Sequence, residues 1–255
     1  MSYAHYPSLK NKTVFITGGT SGIGADFVLQ FAQQGANVAF VGRNKKNGEQ
    51  VVSQIEKKCG VTPLYMACDI THVDEIHRAV NSTLHTFGSI DILINNAAND
   101  QRHKTEELTE PLWHELMGIN LTHQFFTAQA VLPSMIHKKN GSIINISSNC
   151  YLLSEIPQYP AYATAKSAII GMTRALAYEF GKYDIRVNCI LPGWVMTEKQ
   201  ITLWLTPEAE EKTLQEQSLK HKLMPEDISR LALFLAADDS KMITKQVFIV
   251  DGGRV

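Results

Sequence analysis

Short, unbroken apolar runs recur along the whole chain, and a helix-length stretch stands between nearly every pair. "TVFIT" (Thr13–Thr17), "NVAFV" (Asn37–Val41), "PLYMAC" (Pro63–Cys68), "IDILIN" (Ile90–Asn95), "SIINIS" (Ser142–Ser147), "IRVNCIL" (Ile185–Leu191) and "QVFIV" (Gln246–Val250) read as seven buried strands. Between them, helical spacing predicts helices over Gly24–Gly35, to about Lys58, over Val73–Phe87, around Trp113–Lys138, at Ala161–Gly181 and around Glu226–Ala236. A strand that is apolar on both faces has to be covered on both faces. Strands alternating with helices therefore predict an α/β fold with a parallel sheet between helical layers. No linker-like stretch interrupts the 255 residues, so residues 1–255 are expected to form one domain. The stretch Trp194–Leu223 is too long for an ordinary connection, and an insertion acting as a substrate lid is expected at about 194–223.

Composition narrows the function. Hydrophobic residues are 44% of the chain and the net charge is −1. No basic block exists, which argues against nucleic acid or an acidic membrane as partner. The first residues lack an apolar signal core and no apolar run reaches membrane-spanning length, so a cytoplasmic protein is expected. Sequons such as Asn145-Ile146-Ser147 then carry no glycan. Cys59, Cys68, Cys150 and Cys189 have no zinc or CxxC spacing; reduced, buried thiols are expected. His103 and His114 lack a paired ligand spacing, and no metal is expected.

"TGGTSGIG" (Thr17–Gly24) joins the first strand to the first helix, with Gly18, Gly22 and Gly24 spaced G-x-x-x-G-x-G. Glycines there let backbone approach a pyrophosphate, which the helix N-terminus binds. No Gly-Lys-Ser/Thr and no G-x-S-x-G occurs, which excludes a Walker loop and a nucleophile elbow. The second strand ends in "VGRNKKN". An acidic residue there would accept from the ribose of NAD, whereas Arg43 suits a 2′-phosphate. NADP is the expected cofactor, with NAD as the alternative. Asp69, after the third strand, suits the adenine amino group or the cap of the next helix.

Tyr-x-x-x-Lys places both side chains on one helix face, where an ammonium favours the tyrosinate. The spacing occurs three times, at Tyr6/Lys10, Tyr162/Lys166 and Tyr178/Lys182. Tyr6 precedes Pro7 in an expected mobile tail. Tyr178 follows Tyr162 by 16 residues on one helix, which turns it to nearly the opposite face. Only Tyr162 follows a buried strand with a polar end, "INISSNC", where Ser148 is placed to bind a substrate oxygen. Asn120 is polar within an apolar helix and on pattern alone faces solvent or its own backbone.

The motifs "TGGTSGIG", "CDI", "NNAA", Ile119–Asn120, "INISS", "YATAK", "IRVNCILPGWVMT" and "DGG", in this order from Thr13 to Gly253, resemble the short-chain dehydrogenase/reductase family. The resemblance implies a Rossmann-type doubly wound sheet and a catalytic tetrad of Asn120, Ser148, Tyr162 and Lys166. Tyr162 would move the proton, Ser148 would orient the reacting oxygen, Lys166 would hold the nicotinamide ribose and Asn120 would anchor a relay water. It also implies cofactor contacts from Gly18, Thr20, Ser21, Gly22, Ile23, Gly24, Arg43, Asp69, Ile70, Asn96, Ala97 and Ala98, and from Pro192, Gly193, Val195 and Thr197, beside Tyr162 and Lys166. A homotetramer joined through the long helices is implied too.

Within the family, "NDQRHK", "PGWVMTEKQ", "LWLTPE" and "LFLAADDS" resemble bacterial galactose and xylose 1-dehydrogenases. The implied reaction oxidises an aldose at C1 to a lactone, with substrate contacts from Asn99, His103, Ser148, Asn149, Tyr162 and Trp194. Ala98 departs from the family's N-N-A-G, Asn149–Leu152 stand where the sugar enzymes carry Trp, and Arg254 replaces a terminal Trp. Two rival functions remain: reduction of a 3-oxoacyl thioester or hydroxysteroid ketone, and a cofactor-binding scaffold without catalysis.

Overall fold

The computed structural model describes residues 4–155 and 158–255. Strands β1 (Thr13–Thr17), β2 (Asn37–Gly42), β3 (Leu64–Ala67), β4 (Ile92–Asn95), β5 (Gly141–Ile146), β6 (Ile185–Pro192) and β7 (Val247–Val250) form one sheet in the order β3-β2-β1-β4-β5-β6-β7. All six pairings are parallel. The helices are α1 (Gly22–Gln33), α2 (Lys45–Cys59), α3 (Val73–Phe87), α4 (Glu110–Met117), α5 (His123–Lys138), α6 (Pro160–Phe180), α7 (Glu198–Leu203), α8 (Pro207–Glu216) and α9 (Pro225–Ala236). This is the single α/β domain that the alternation of strands and helices predicts.

Two-residue alternation along the strands divides the core. Val14 and Ile16 of β1 pack with Phe27 and Phe31 of α1 and Leu233 of α9. Phe15, between them, packs on the other face with Ile76 of α3 and Met135 of α5. Strand order reverses between β1 and β4, and such a switch point opens a crevice at the carboxyl ends of the strands.

Three segments differ from the sequence reading. The helix expected around Trp113–Lys138 is α4 and α5 joined by a π-helical turn over Gly118–Thr122. Periodicity cannot register one inserted residue, and here the Asn120 side chain bonds the Leu116 carbonyl at 2.9 Å. The stretch 194–223 is ordered by α7 and α8, whose N-termini are capped by Thr197 and Thr206. Those capping threonines, the second followed by Pro207, are the start signals that the sequence carries for both helices. Tyr6, expected in a mobile tail, packs against the core. Gln34 fixes it by accepting from the Tyr6 amide at 2.8 Å and donating to the Ala4 carbonyl at 2.9 Å. Among the described residues no helix is long and apolar enough to cross a membrane. The four thiols are free, and Cys59 is only half-buried.

Candidate active site

Glycine makes the floor of the crevice. Gly18 has φ +71° and a Cβ there would lie 2.8 Å from the Ala97 Cα, while a Cβ on Gly24 would overlap the Gly18 carbonyl. The loop is therefore as close to its neighbours as backbone permits. Ser21 enters α1 in an extended conformation and its side chain makes no cap hydrogen bond. The first amides of α1 thus keep no side-chain partner from the capping residue, as an anion-binding helix terminus requires.

A cavity of about 1050 Å³ starts at Arg43 and Asp69, crosses this loop and reaches Ser148, Tyr162 and Lys166. It continues to Trp194, Trp204 and Arg254. Arg43 stands 4.0 Å from Asp69 with its side chain largely exposed. Asp69 does not cap α3: its carboxylate accepts from the Thr71 amide at 3.0 Å and hydroxyl at 2.7 Å, and His72 is the cap position.

Tyr162 and Lys166 lie one turn apart on α6, with the Lys166 Nζ 5.5 Å from the centre of the phenol ring. Lys166 is buried and donates to the Ile146 carbonyl at 2.9 Å. Burial pulls its ammonium from 10.5 down to about 8. Burial also holds the Tyr162 phenol well above its ordinary 10, with the Ser148 hydroxyl pulling the other way. The expectation that a nearby ammonium depresses this phenol is thus not realised in the protein alone, because desolvation outweighs charge over this distance. Tyr159, missed in the sequence, meets Tyr162 edge-on at 5.2 Å. Tyr159 is the non-helical residue before Pro160, at the cap position of α6, so helical spacing gave no signal for it.

Asn120 faces neither solvent nor only its own helix. Its amide accepts from the Asn99 N–H at 2.9 Å and donates to the Asn99 carbonyl at 3.0 Å, so the π turn holds the polar loop after β4. His123, three residues on, was also missed. Its Nε2 lies 2.9 Å from the Ala97 carbonyl, which makes it the donor. Burial and the Lys166 charge pull its pKa to about 3, so the ring is neutral.

Of the residues expected to contact cofactor, Gly18, Thr20, Ser21, Ile23 and Gly24 line the cavity with Arg43, Asp69 and Ile70. So do Asn96, Ala97, Ala98, Pro192, Gly193, Val195 and Thr197, whereas Gly22 does not. Ser148, Asn149 and Trp194 line it too, although the Asn149 amide is held by Asp251 at 2.9 Å. The loop after β4 is divided differently from the expectation. Asp100 and Arg102 line the cavity. Asn99 bonds Lys199 at 3.1 Å instead, and His103 is buried with its Nδ1 3.1 Å from the Gln101 carbonyl. The Asp100 carboxylate accepts from Lys199 at 2.5 Å and Gln200 at 2.7 Å. Gln200 in turn accepts from the Trp194 indole at 2.8 Å. Much of that loop's polarity therefore clasps the segment beginning at Trp194.

A family model described as Enoyl-(Acyl carrier protein) reductase matches residues 18–254. "Probable galactose dehydrogenase GalD" of Rhizobium meliloti (strain 1021) is 42% identical over 98% of this chain and 97% of its own length. D-xylose 1-dehydrogenase of Caulobacter vibrioides is 41% identical over 99% of both chains. The chain belongs to the short-chain dehydrogenase/reductase family. As a member it is an NAD(P)-dependent oxidoreductase. A solved structure of the same architecture, 7α-hydroxysteroid dehydrogenase complexed with NADH and 7-oxo glycochenodeoxycholic acid, superposes with a TM-score of 0.92. It is 30% identical and aligned over 99% of this chain and 98% of that one. The glycine cradle, the uncapped start of α1 and the buried Lys166 fit a dinucleotide of this kind.

Proposed function

We propose that this short-chain dehydrogenase/reductase oxidises an aldose at C1 to the lactone, with NADP as cofactor. The observation that carries the reading is likeness over essentially the whole chain to proteins named galactose and xylose dehydrogenase. The glycine loop and the first turn of α1 would hold the pyrophosphate. Arg43, exposed and only loosely paired, would take the 2′-phosphate. Bound there, the nicotinamide supplies the hydride acceptor.

The tetrad acts on protons and orientation. Ser148 orients the anomeric hydroxyl and Tyr162 takes its proton. Lys166 holds a ribose hydroxyl and, as a buried cation beside the phenol, stabilises the tyrosinate once the site is filled. The phenol is pushed up by burial, so the oxidative rate should rise with pH. Asn120, fixed on the loop after β4, anchors the relay water. A lid over 194–223, a cytoplasmic location and a homotetramer complete the proposal.

The rival substrate, a 3-oxoacyl thioester or steroid ketone, is favoured by Leu152 and Leu153 on the cavity wall. The test is a panel of aldoses with NADP and NAD supplied separately, following reduced-cofactor absorbance. Turnover of an aldose with NADP preferred is the expected result. Silence on every aldose with turnover of a ketoacyl thioester would overturn the sugar reading, and preference for NAD would overturn the role of Arg43.

A further inference from the structure

At the outer end of the cavity, side-chain ion pairing leaves out one of the lining cations. Lys199, Lys212, Arg254 and Arg102 all line it. Lys199 is paired with Asp100, Lys212 with Glu155 and Arg254 with Glu216, each at 2.5 Å. Arg102 has no carboxylate partner among the described residues, although it is of the residue type best shaped to hold one. Its guanidinium carbon instead stands 3.7 Å from the centre of the Trp204 ring.

Stacking of this kind uses the face of the guanidinium and leaves its in-plane N–H groups to bond something else. Arg102 also draws the Tyr159 phenol downward, against the larger upward push of burial. Arg102, Tyr159 and Tyr162 line one cavity, and Tyr159 packs edge-on against Tyr162, so this cation opens onto the space that holds the reacting phenol. A clamp on the 194–223 segment would need only the stack. Arg102 is exposed, so its remaining donors are held by water and open to an anion, in a cavity whose other outer side-chain cations are paired.

We propose that Arg102 binds a carboxylate on the substrate, carried on a carbon away from the one oxidised. The substrate class is then an acidic aldose, a uronic acid, in preference to a neutral one. This inference rests on the aldose reading of the site and names its substrate class. The carboxylate replaces water on the in-plane N–H groups, while the ring hydroxyls remain for Ser148 and Tyr162.

The test uses matched pairs that differ only in a carboxylate for a CH2OH: D-galacturonate against D-galactose, and D-glucuronate against D-glucose. Binding is measured by calorimetry on enzyme saturated with reduced cofactor, and turnover is measured separately with NADP. Wild type should bind one uronate at least about tenfold more tightly than its neutral partner, as charge-assisted hydrogen bonds provide. Arg102→Gln should reduce that ratio at least about tenfold, and Arg102→Lys, which keeps charge without the planar fork, should fall between. No preference in wild type, no measurable binding of any uronate, or an equal loss on both members of a pair in Arg102→Gln would overturn the proposal. The last result would make Arg102 a clamp for the 194–223 segment. A carboxylate preference in binding without turnover of any aldose would instead overturn the aldose reading and leave the anion site standing.

Discussion

Replacing Lys166 by Met should make the cofactor-free protein more stable and the enzyme nearly inactive. Lys166 is 1% exposed, and burial pulls its ammonium from 10.5 to about 8. At about 1.4 kcal/mol for each tenfold change, keeping the proton in the folded state at pH 7 costs about 3.5 kcal/mol. The hydrogen bond from this charged donor to Ile146 returns about 1.5 kcal/mol. Its loss leaves no orphan, because that carbonyl also accepts from Gln124 at 3.2 Å. Methionine is unbranched and close in volume, so the site can be refilled. The net expectation is about 2 kcal/mol of added stability, or about 4–8 °C in melting temperature for a chain of this size.

The sign of the pH dependence follows. Between about pH 8 and the unfolded value of 10.5, the unfolded chain holds a proton that the folded one has released, so wild type gains stability as pH rises. The advantage of Lys166→Met should therefore be full at pH 7 and largely gone at pH 10. Thermal unfolding of both proteins without cofactor at the two pH values is the assay. A variant that melts at or below wild type at pH 7, or a margin that does not change with pH, would show that the buried ammonium is not a net cost to the fold. Turnover should fall by at least about a hundredfold.

Tyr162→Phe should reduce turnover by at least about a hundredfold while cofactor still quenches protein fluorescence, whereas Tyr178→Phe, at a side chain 83% exposed, should change neither. Gly24→Ala should abolish cofactor binding in the same titration, since the added Cβ overlaps the Gly18 carbonyl and crowds the Asn96 amide at 2.7 Å. Asp100→Asn should raise proteolysis of the 194–223 segment. Lys199 and Gln200 hold the Asp100 carboxylate below its ordinary range despite burial, so in wild type the clasp should persist above the unfolded carboxylate value and loosen as pH falls through the folded one.

The sequence made the layers of this fold readable because strand and helix periods differ, and Val14, Phe15 and Ile16 show how cleanly alternate residues part between two cores. The glycine loop was readable for a similar reason: few functions other than close backbone approach require Gly18 and Gly24 together. Asn120 was legible only by family resemblance. What holds it is a π turn and a backbone contact to Asn99, 21 residues away in sequence, and neither leaves a periodic trace. The loop after β4 shows the same limit. Its polarity announced a partner, yet composition could not tell that Asn99 and Asp100 bond Lys199, about 100 residues later in the chain. Only the three-dimensional pairing separates the satisfied charges from Arg102.

Hydride transfer from C1 of an aldose can be followed directly with a label. An aldose or uronate deuterated at C1 would be incubated with the enzyme and NADP, and both products weighed by mass spectrometry. One deuterium in the reduced cofactor and an aldonic or aldaric acid without it is the expected result. Sugar consumed with the deuterium retained, or no sugar consumed while a 3-oxoacyl thioester is reduced, would contradict it.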